Sequence, residues 1–202
     1  MTTIVDGRAA TEKAVGAVAA RKPAKAVPRS HSGWRLAALS FVAGIFLTQI
    51  VTVSTVRGNS MLPSLFDEDV VIVSKLSYTL RPIEPGDTVV LSHPERSAQL
   101  MVKRVMALPG DLVELRDGHL WVNGTEYKEE HVPWPRRGHS DRPEHVVPPS
   151  HYYVLGDNRR VSEDSRLWGD VPRRYIRGKV VFRLWPLLRA GPIPTGSHET
   201  VP

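Results

Sequence analysis

The chain contains no cysteine. That excludes disulfides, thiolate metal sites and a cysteine nucleophile, and it leaves the redox compartment open. Metal patterns are missing too. The eight histidines show neither ligand spacing nor an HExxH sequence, so no metal is expected. There is no glycine-rich phosphate loop, and no cofactor is implied. The net charge of +6 leans basic, but residues 1–35 carry seven Lys/Arg against Asp6 and Glu12, a local net of +5. The basic residues of the remainder are scattered and balanced by acids, a poor fit to nucleic-acid binding.

Charge is itself absent from Leu36 to Val56, a run of twenty-one residues bounded by Arg35 and Arg57. As a helix rising ~1.5 Å per residue it would span roughly 30 Å, the hydrocarbon thickness of a bilayer. Trp34 stands at one edge, where an interfacial aromatic is favoured. The run exceeds the ~7–15 residues of a signal-peptide core, and Ser54-Thr55-Val56 makes a poor cleavage site. The expectation is an uncleaved transmembrane helix over 34–56, in contact with the lipid bilayer. Lys/Arg number seven before it, but only Arg57 and Lys75 occur in residues 57–76. Positive charge stays inside. Residues 1–33, read as a disordered basic tail, therefore fall in the cytoplasm, and the chain after residue 57 falls outside a single-pass cell-membrane anchor.

From residue 70 short β runs alternate with Gly, Pro and Asp. They are Val70–Val73, Thr88–Leu91, Leu100–Val105, Leu112–Leu115, Leu120–Val122, His151–Leu155 and Lys179–Leu184. The turn Asp117-Gly118 between the fourth and fifth reads as a hairpin. No helical period follows the uncharged run, so residues 57–190 are expected to form a mostly β domain. Residues 126–149, with five prolines, read as a surface excursion. Residues 191–202 read as a flexible tail.

Two side chains stand out for chemistry. Ser60 lies in Gly58-Asn59-Ser60-Met61-Leu62-Pro63, a turn-forming stretch close after the uncharged run. A serine nucleophile needs a base. Lys103 sits in an apolar strand, sharing a face with Met101 and Val105 while Val102 and Arg104 take the other. It is either an edge residue with a snorkelling stem or a buried amine, which would lose basicity and could serve as that base. Gly156 to Gly169 is a dense polar segment after a strand. It is either a solvated loop or the lining of a site.

Four segments together resemble the bacterial type I signal peptidases, in their compact Gram-positive or actinobacterial form. Ser60-Met61-Leu62-Pro63-Ser64 is similar to the family's nucleophile box. Lys103-Arg104-Val105 with Leu108-Pro109-Gly110-Asp111 is similar to its lysine box. Gly156-Asp157-Asn158-Arg159 through Ser162, Asp164, Ser165 and Arg166 to Gly169 matches its third box, and Val147-Pro148-Pro149 leads into it. The resemblance implies a β-rich peptidase domain that removes signal peptides from exported preproteins. Ser60 would attack, and Lys103 would take its proton. Ser162 would orient the amine, Asp164 and Arg166 would pair to hold the loop, and Asp157 and Asn158 would support the site. Small residues of an extended substrate would fit pockets near Val56, Met101 and Val102. The Ser60 N–H would meet the oxyanion. Where some members add a serine hydroxyl two residues earlier, this chain has Gly58. Two other readings stand beside this one: a Ser–Lys peptidase with a narrow substrate set, such as pilins, and a non-catalytic membrane-anchored binding domain.

Overall fold

A computed structural model of the chain describes residues 32–96, 98–129, 132 and 141–195. The backbone divides into two compact units, Met1–Leu39 and Ser40–Pro202. Of the first, residues 32–39 are helical, with Trp34, Leu36 and Leu39 largely exposed. The expected tail 1–33 lies, but for its last two residues, outside the described part.

Helix α1 covers Ser32–Ile50 and passes directly into strand β1, Val51–Thr55. The remaining elements follow in order. They are β2 (Val70–Ser74), α2 (Ser77–Leu80), β3 (Thr88–Ser92), β4 (Leu100–Ala107), β5 (Leu112–Arg116), β6 (His119–Val122), β7 (Thr125–Glu126), β8 (Arg142–Val146), β9 (His151–Leu155), α3 (Ser165–Trp168), β10 (Val171–Pro172), β11 (Ile176–Trp185) and β12 (Gly191–Pro192). Each strand expected from alternation is present, and the domain is mostly β.

Three expectations about boundaries are corrected. The helix expected over 34–56 stops at Ile50. Val51-Thr52-Val53-Ser54-Thr55 is rich in β-branched residues, which favour a pleated strand, and it pairs with β2 from Val51↔Ser74 to Thr55↔Val70. Absence of charge marked this stretch as continuous with the helix, although its side chains call for a strand. Among the described residues, no helix is long and apolar enough to cross a membrane. Second, the excursion 126–149 contains strand β8, paired with β5, and the buried residues Tyr127, Glu129 and Val132; its residues 130, 131 and 133–140 lie outside the described part. Third, residues 191–195 belong to the domain. Gly191 and Pro192 pair with β11, and Ile193 is buried beside Met61 and Leu65. The last seven residues of the expected tail lie outside the described part.

The strands form two sheets. The larger runs β1-β2-β11-β3-β4-β9-β10, with β12 on β11; the smaller runs β7-β6-β5-β8. One apolar cluster, with Met106, Leu115, Leu120, Val147, Tyr153 and Leu155, ties the small sheet to β4 and β9. A second gathers Val56, Met61, Leu65, Val71, Val90 and Val180 under the loop between β1 and β2. The third, with Val89, Leu91, Val105, Val154 and Ile176, includes Met101 at its margin. Strand β4 pairs with β3 along Leu100–Arg104 but with β9 only from Arg104 onward. β1 ends the sheet order. The open backbone edges among the described strands therefore include one on β1 and one on the first half of β4.

Candidate active site

The loop between β1 and β2 carries Ser60. It is pinned on one side by Met61 and Leu65, both fully buried, and Leu65 N–H donates to the Met61 carbonyl at 2.9 Å. At its start Gly58 adopts φ +87°, a left-handed conformation that costs glycine little. The Gly58 N–H donates to Asp67 Oδ1 at 2.8 Å.

Lys103 projects from β4, and its Nζ lies 3.0 Å from Ser60 Oγ. The residue is 1% exposed, which decides between the two sequence readings: the amine is buried, and the stem does not snorkel. Burial pushes its pKa down to about 8, although the nearby Asp164 and Glu163 carboxylates pull upward. Among the described residues no carboxylate forms a salt bridge with it. As an ammonium it donates to Ser60 Oγ; as a neutral amine it accepts the hydroxyl proton.

The segment after β9 wraps around this pair. Asn158 N–H donates to the Ser60 carbonyl at 2.9 Å, and Asn158 Nδ2 donates to the Asn59 carbonyl at 3.1 Å. Gly156 packs so closely that a Cβ there would lie 2.6 Å from the Ser60 carbonyl oxygen and 2.2 Å from Ser162 Oγ. No other residue fits without moving the serine loop. Gly156 N–H donates to Asp164 Oδ2 at 3.0 Å. Arg166 embraces Asp164 through Nε at 2.8 Å and Nη2 at 3.0 Å. Burial alone would raise the Asp164 carboxyl, but the Arg166 contacts and the Gly156 N–H outweigh it and hold the group below the usual carboxylate range.

Ser162 is buried and its hydroxyl makes no hydrogen bond to Lys103; it lies beside Asp164, whose carboxylate it helps to hold ionised. The expectation that it touches the amine is not met in this arrangement; the hydroxyl packs against Gly156 instead. Asp157 acts on Lys103 only through space, and its hydrogen bonds go to Arg104. It receives both Nε and Nη2 of Arg104, at 2.9 Å each. Sequence reading placed Arg104 only on the face opposite Lys103 and gave it no role. The structure makes it the hinge pin of the site. Its Nη1 donates to the carbonyls of Gly86 and Pro194, and its Nη2 reaches Ser64 Oγ at 3.3 Å, so β4, the serine loop and the C-terminal segment meet on one guanidinium. Two adjacent basic residues in an apolar strand, with an aspartate in a later motif, were the available signal.

A groove of about 210 Å³ leads to the dyad, walled by Ser54, Thr55 and Val56 on one side and Leu100, Met101 and Val102 on the other. Val56, Met101 and Val102 therefore stand together beside Ser60. The open edges of β1 and β4 flank the groove. A serine hydroxyl, a buried amine of lowered basicity and a groove with free backbone edges suit peptide-bond hydrolysis.

A family model described as "Signal peptidase, peptidase S26" matches residues 31–185. A signal peptidase I from Leptolyngbya laminosa is 35% identical over 183 residues, covering 84% of this chain and 89% of that protein. Signal peptidase IB of Staphylococcus aureus is 36% identical over 162 residues, covering 72% and 82%. A crystal structure of a signal peptidase I from Enterococcus faecalis aligns with 50% of this chain and 98% of that one, at 28% identity and a TM-score of 0.45.

Proposed function

The chain belongs to the signal peptidase family, peptidase S26, of serine endopeptidases, and on that premise we propose that Ser60 and Lys103 are its catalytic dyad and that it removes signal peptides from exported preproteins. The observation that carries this reading is the 3.0 Å approach of Lys103 Nζ to Ser60 Oγ, with the amine fully buried.

The chemistry follows from that contact. Neutral Lys103 takes the Ser60 proton as Oγ adds to the scissile carbonyl. The resulting ammonium returns the proton to the departing amine, which leaves as the new N-terminus of the mature protein. An acyl-serine remains. Lys103 then deprotonates a water, which releases the signal peptide and restores the serine. The Ser60 N–H stabilises the oxyanion. The signal peptide lies as an added strand against the open edges of β1 and β4. Val56, Met101 and Val102 select small side chains.

Membrane attachment completes the reading. The uncharged run from Leu36 supports a single-pass anchor, and the Lys/Arg excess before it supports a cytoplasmic N-terminus with the catalytic domain outside. At the nucleophile end of the large sheet, Trp185, Leu187 and Leu188 are exposed. Trp185 pairs with Val70, which pairs in turn with Thr55 in the groove wall. Apolar side chains at that end suit contact with the bilayer from which a cleavage site emerges.

The test is cleavage of a preprotein by the detergent-solubilised chain. Wild type should cut after a small-x-small sequence, and Ser60→Ala and Lys103→Ala should lose at least ~10³-fold in kcat. Full activity in Lys103→Ala would assign the base to another group.

A further inference from the structure

Two buried guanidiniums near the dyad have carboxylate partners within the motifs themselves: Arg104 with Asp157, and Arg166 with Asp164. Arg159 is a third, 3% exposed. Its partner comes from elsewhere. Glu129 lies just after β7 in the segment leading out of the small sheet, outside every motif of the site, and is 1% exposed. Its Oε1 is paired with Arg159 Nη2.

Arg159 in turn holds backbone. Its Nε donates to the Gly156 carbonyl at 2.9 Å, and its own carbonyl accepts from Arg166 Nη2 at 2.7 Å. Gly156 is the residue with no room to spare against the Ser60 carbonyl and Ser162 Oγ. Its N–H is fixed by Asp164 and its carbonyl by Arg159. Two residues on, Asn158 N–H grips the Ser60 carbonyl. A continuous path therefore runs from the small sheet to the nucleophile's backbone: Glu129, Arg159, Gly156, Ser60.

We propose that Glu129 is a positioning residue for the hydrolysis, fixing Arg159 so that the Gly156 turn holds Ser60 in register with Lys103. It touches neither substrate nor dyad. Without its charge, Arg159 is a buried cation with no counter-ion among the described residues, and such a group turns toward solvent or draws water inward. The Gly156 carbonyl then loses its donor and the serine loop gains freedom. The groove walls Met101 and Val102 stand on β4 and Val56 directly follows β1, all outside this path, so substrate binding is spared. The defect falls on the chemical step, where a displacement of ~1 Å can cost ~10²-fold.

This inference rests on the proposed dyad, and the experiment separates the two. Full-length protein in detergent is assayed on a preprotein peptide as wild type, Ser60→Ala, Glu129→Gln, Arg159→Gln and the double Glu129→Gln/Arg159→Gln. Rates are normalised to the folded fraction read from the thermal melt. Inactive wild type, or active Ser60→Ala, overturns the dyad and this proposal with it. With the dyad intact, Glu129→Gln should lower kcat about tenfold or more while KM stays within about twofold, and the double variant should be no worse than the poorer single one. Unchanged kcat, a loss shared by kcat and KM, or additive losses in the double variant would overturn the proposal. Should Glu129→Gln not fold, Glu129→Asp takes its place. It keeps the charge one methylene short and should lose roughly three- to tenfold in kcat at constant KM; wild-type kcat there would overturn the proposal equally.

Discussion

Lys103 and Arg104 are neighbours on β4 and both are fully buried, yet the two faces of that strand treat a positive charge in opposite ways. On the Arg104 face the guanidinium receives a bidentate carboxylate, two carbonyls and a hydroxyl. On the Lys103 face the amine receives one serine hydroxyl and no carboxylate among the described residues. The first arrangement keeps a charge; the second discourages one. A catalytic base has to be uncharged when it acts, so what looks like neglect of Lys103 is the condition for the role proposed for it. The same strand supplies the rigid pin and the proposed base.

The contrast predicts opposite signs for one substitution at adjacent positions. Arg104→Met takes the guanidinium away from the buried Asp157 carboxylate and should cost about 3–5 kcal/mol. Lys103→Met removes a charge that burial opposes, keeps the side chain's length, and should raise stability at pH 7 by on the order of 1–3 kcal/mol while abolishing cleavage. Thermal melts of both variants in one detergent decide it. Destabilisation by Lys103→Met would mean the amine is held by contacts beyond Ser60.

A second, smaller effect separates the faces by pH. Lys103 titrates near about 8 in the folded chain, below its ordinary 10.5. Activity should rise with pH and level off above about 8, and at pH 7 the neutral amine is only about a tenth of the total, so the rate should lie about tenfold under the plateau. Stability moves the same way. Below the folded pKa both states carry the proton, and the folded state bears the whole penalty of a buried ammonium. Between about 8 and 10.5 the folded state releases a proton that the unfolded state still binds, so stability rises across that window. A guanidinium in general keeps its charge across that window and gives no such slope. The Lys103→Met variant should lose the rise; a rise that survives in it would belong to another group.

How much of this was legible beforehand follows the same division. Lys103 could be singled out because an amine in an apolar strand draws notice, but only the fold decides between a snorkelling stem and a buried amine; the turn chemistry around Ser60 is local. The strands from β2 to β6 announced themselves by alternation and by Gly, Pro and Asp between them. Arg104 could not be weighed without knowing that Asp157, far along the chain, folds back onto it. Glu129 sits in a polar, proline-rich stretch whose composition suggests solvent, and only the fold shows its carboxylate in the interior. Strand β1 was hidden because absence of charge says apolar without saying helix. The end of the domain was misplaced because proline and glycine in residues 191–196 suggest fraying, whereas Pro194 is used for its carbonyl, which proline keeps.

That C-terminal segment tests whether the Arg104 face is one unit, and its mildest variant gives the smallest of the expected effects. Ile193 joins the cluster containing Met61 and Leu65 beneath the serine loop, and the next residue's carbonyl accepts from Arg104. Ile193→Val removes one methyl group and should cost about 0.5–1.5 kcal/mol, with kcat nearly unchanged because the Pro194 carbonyl stays in place. Ile193→Ala should cost about 2–5 kcal/mol. If the segment merely covers the core, its cost should add to that of Arg104→Met in the double variant. If Ile193 seats the Pro194 carbonyl for the guanidinium, the double variant should lose less than the two singles combined, because the contact that Ile193 secures no longer exists once Arg104 is gone.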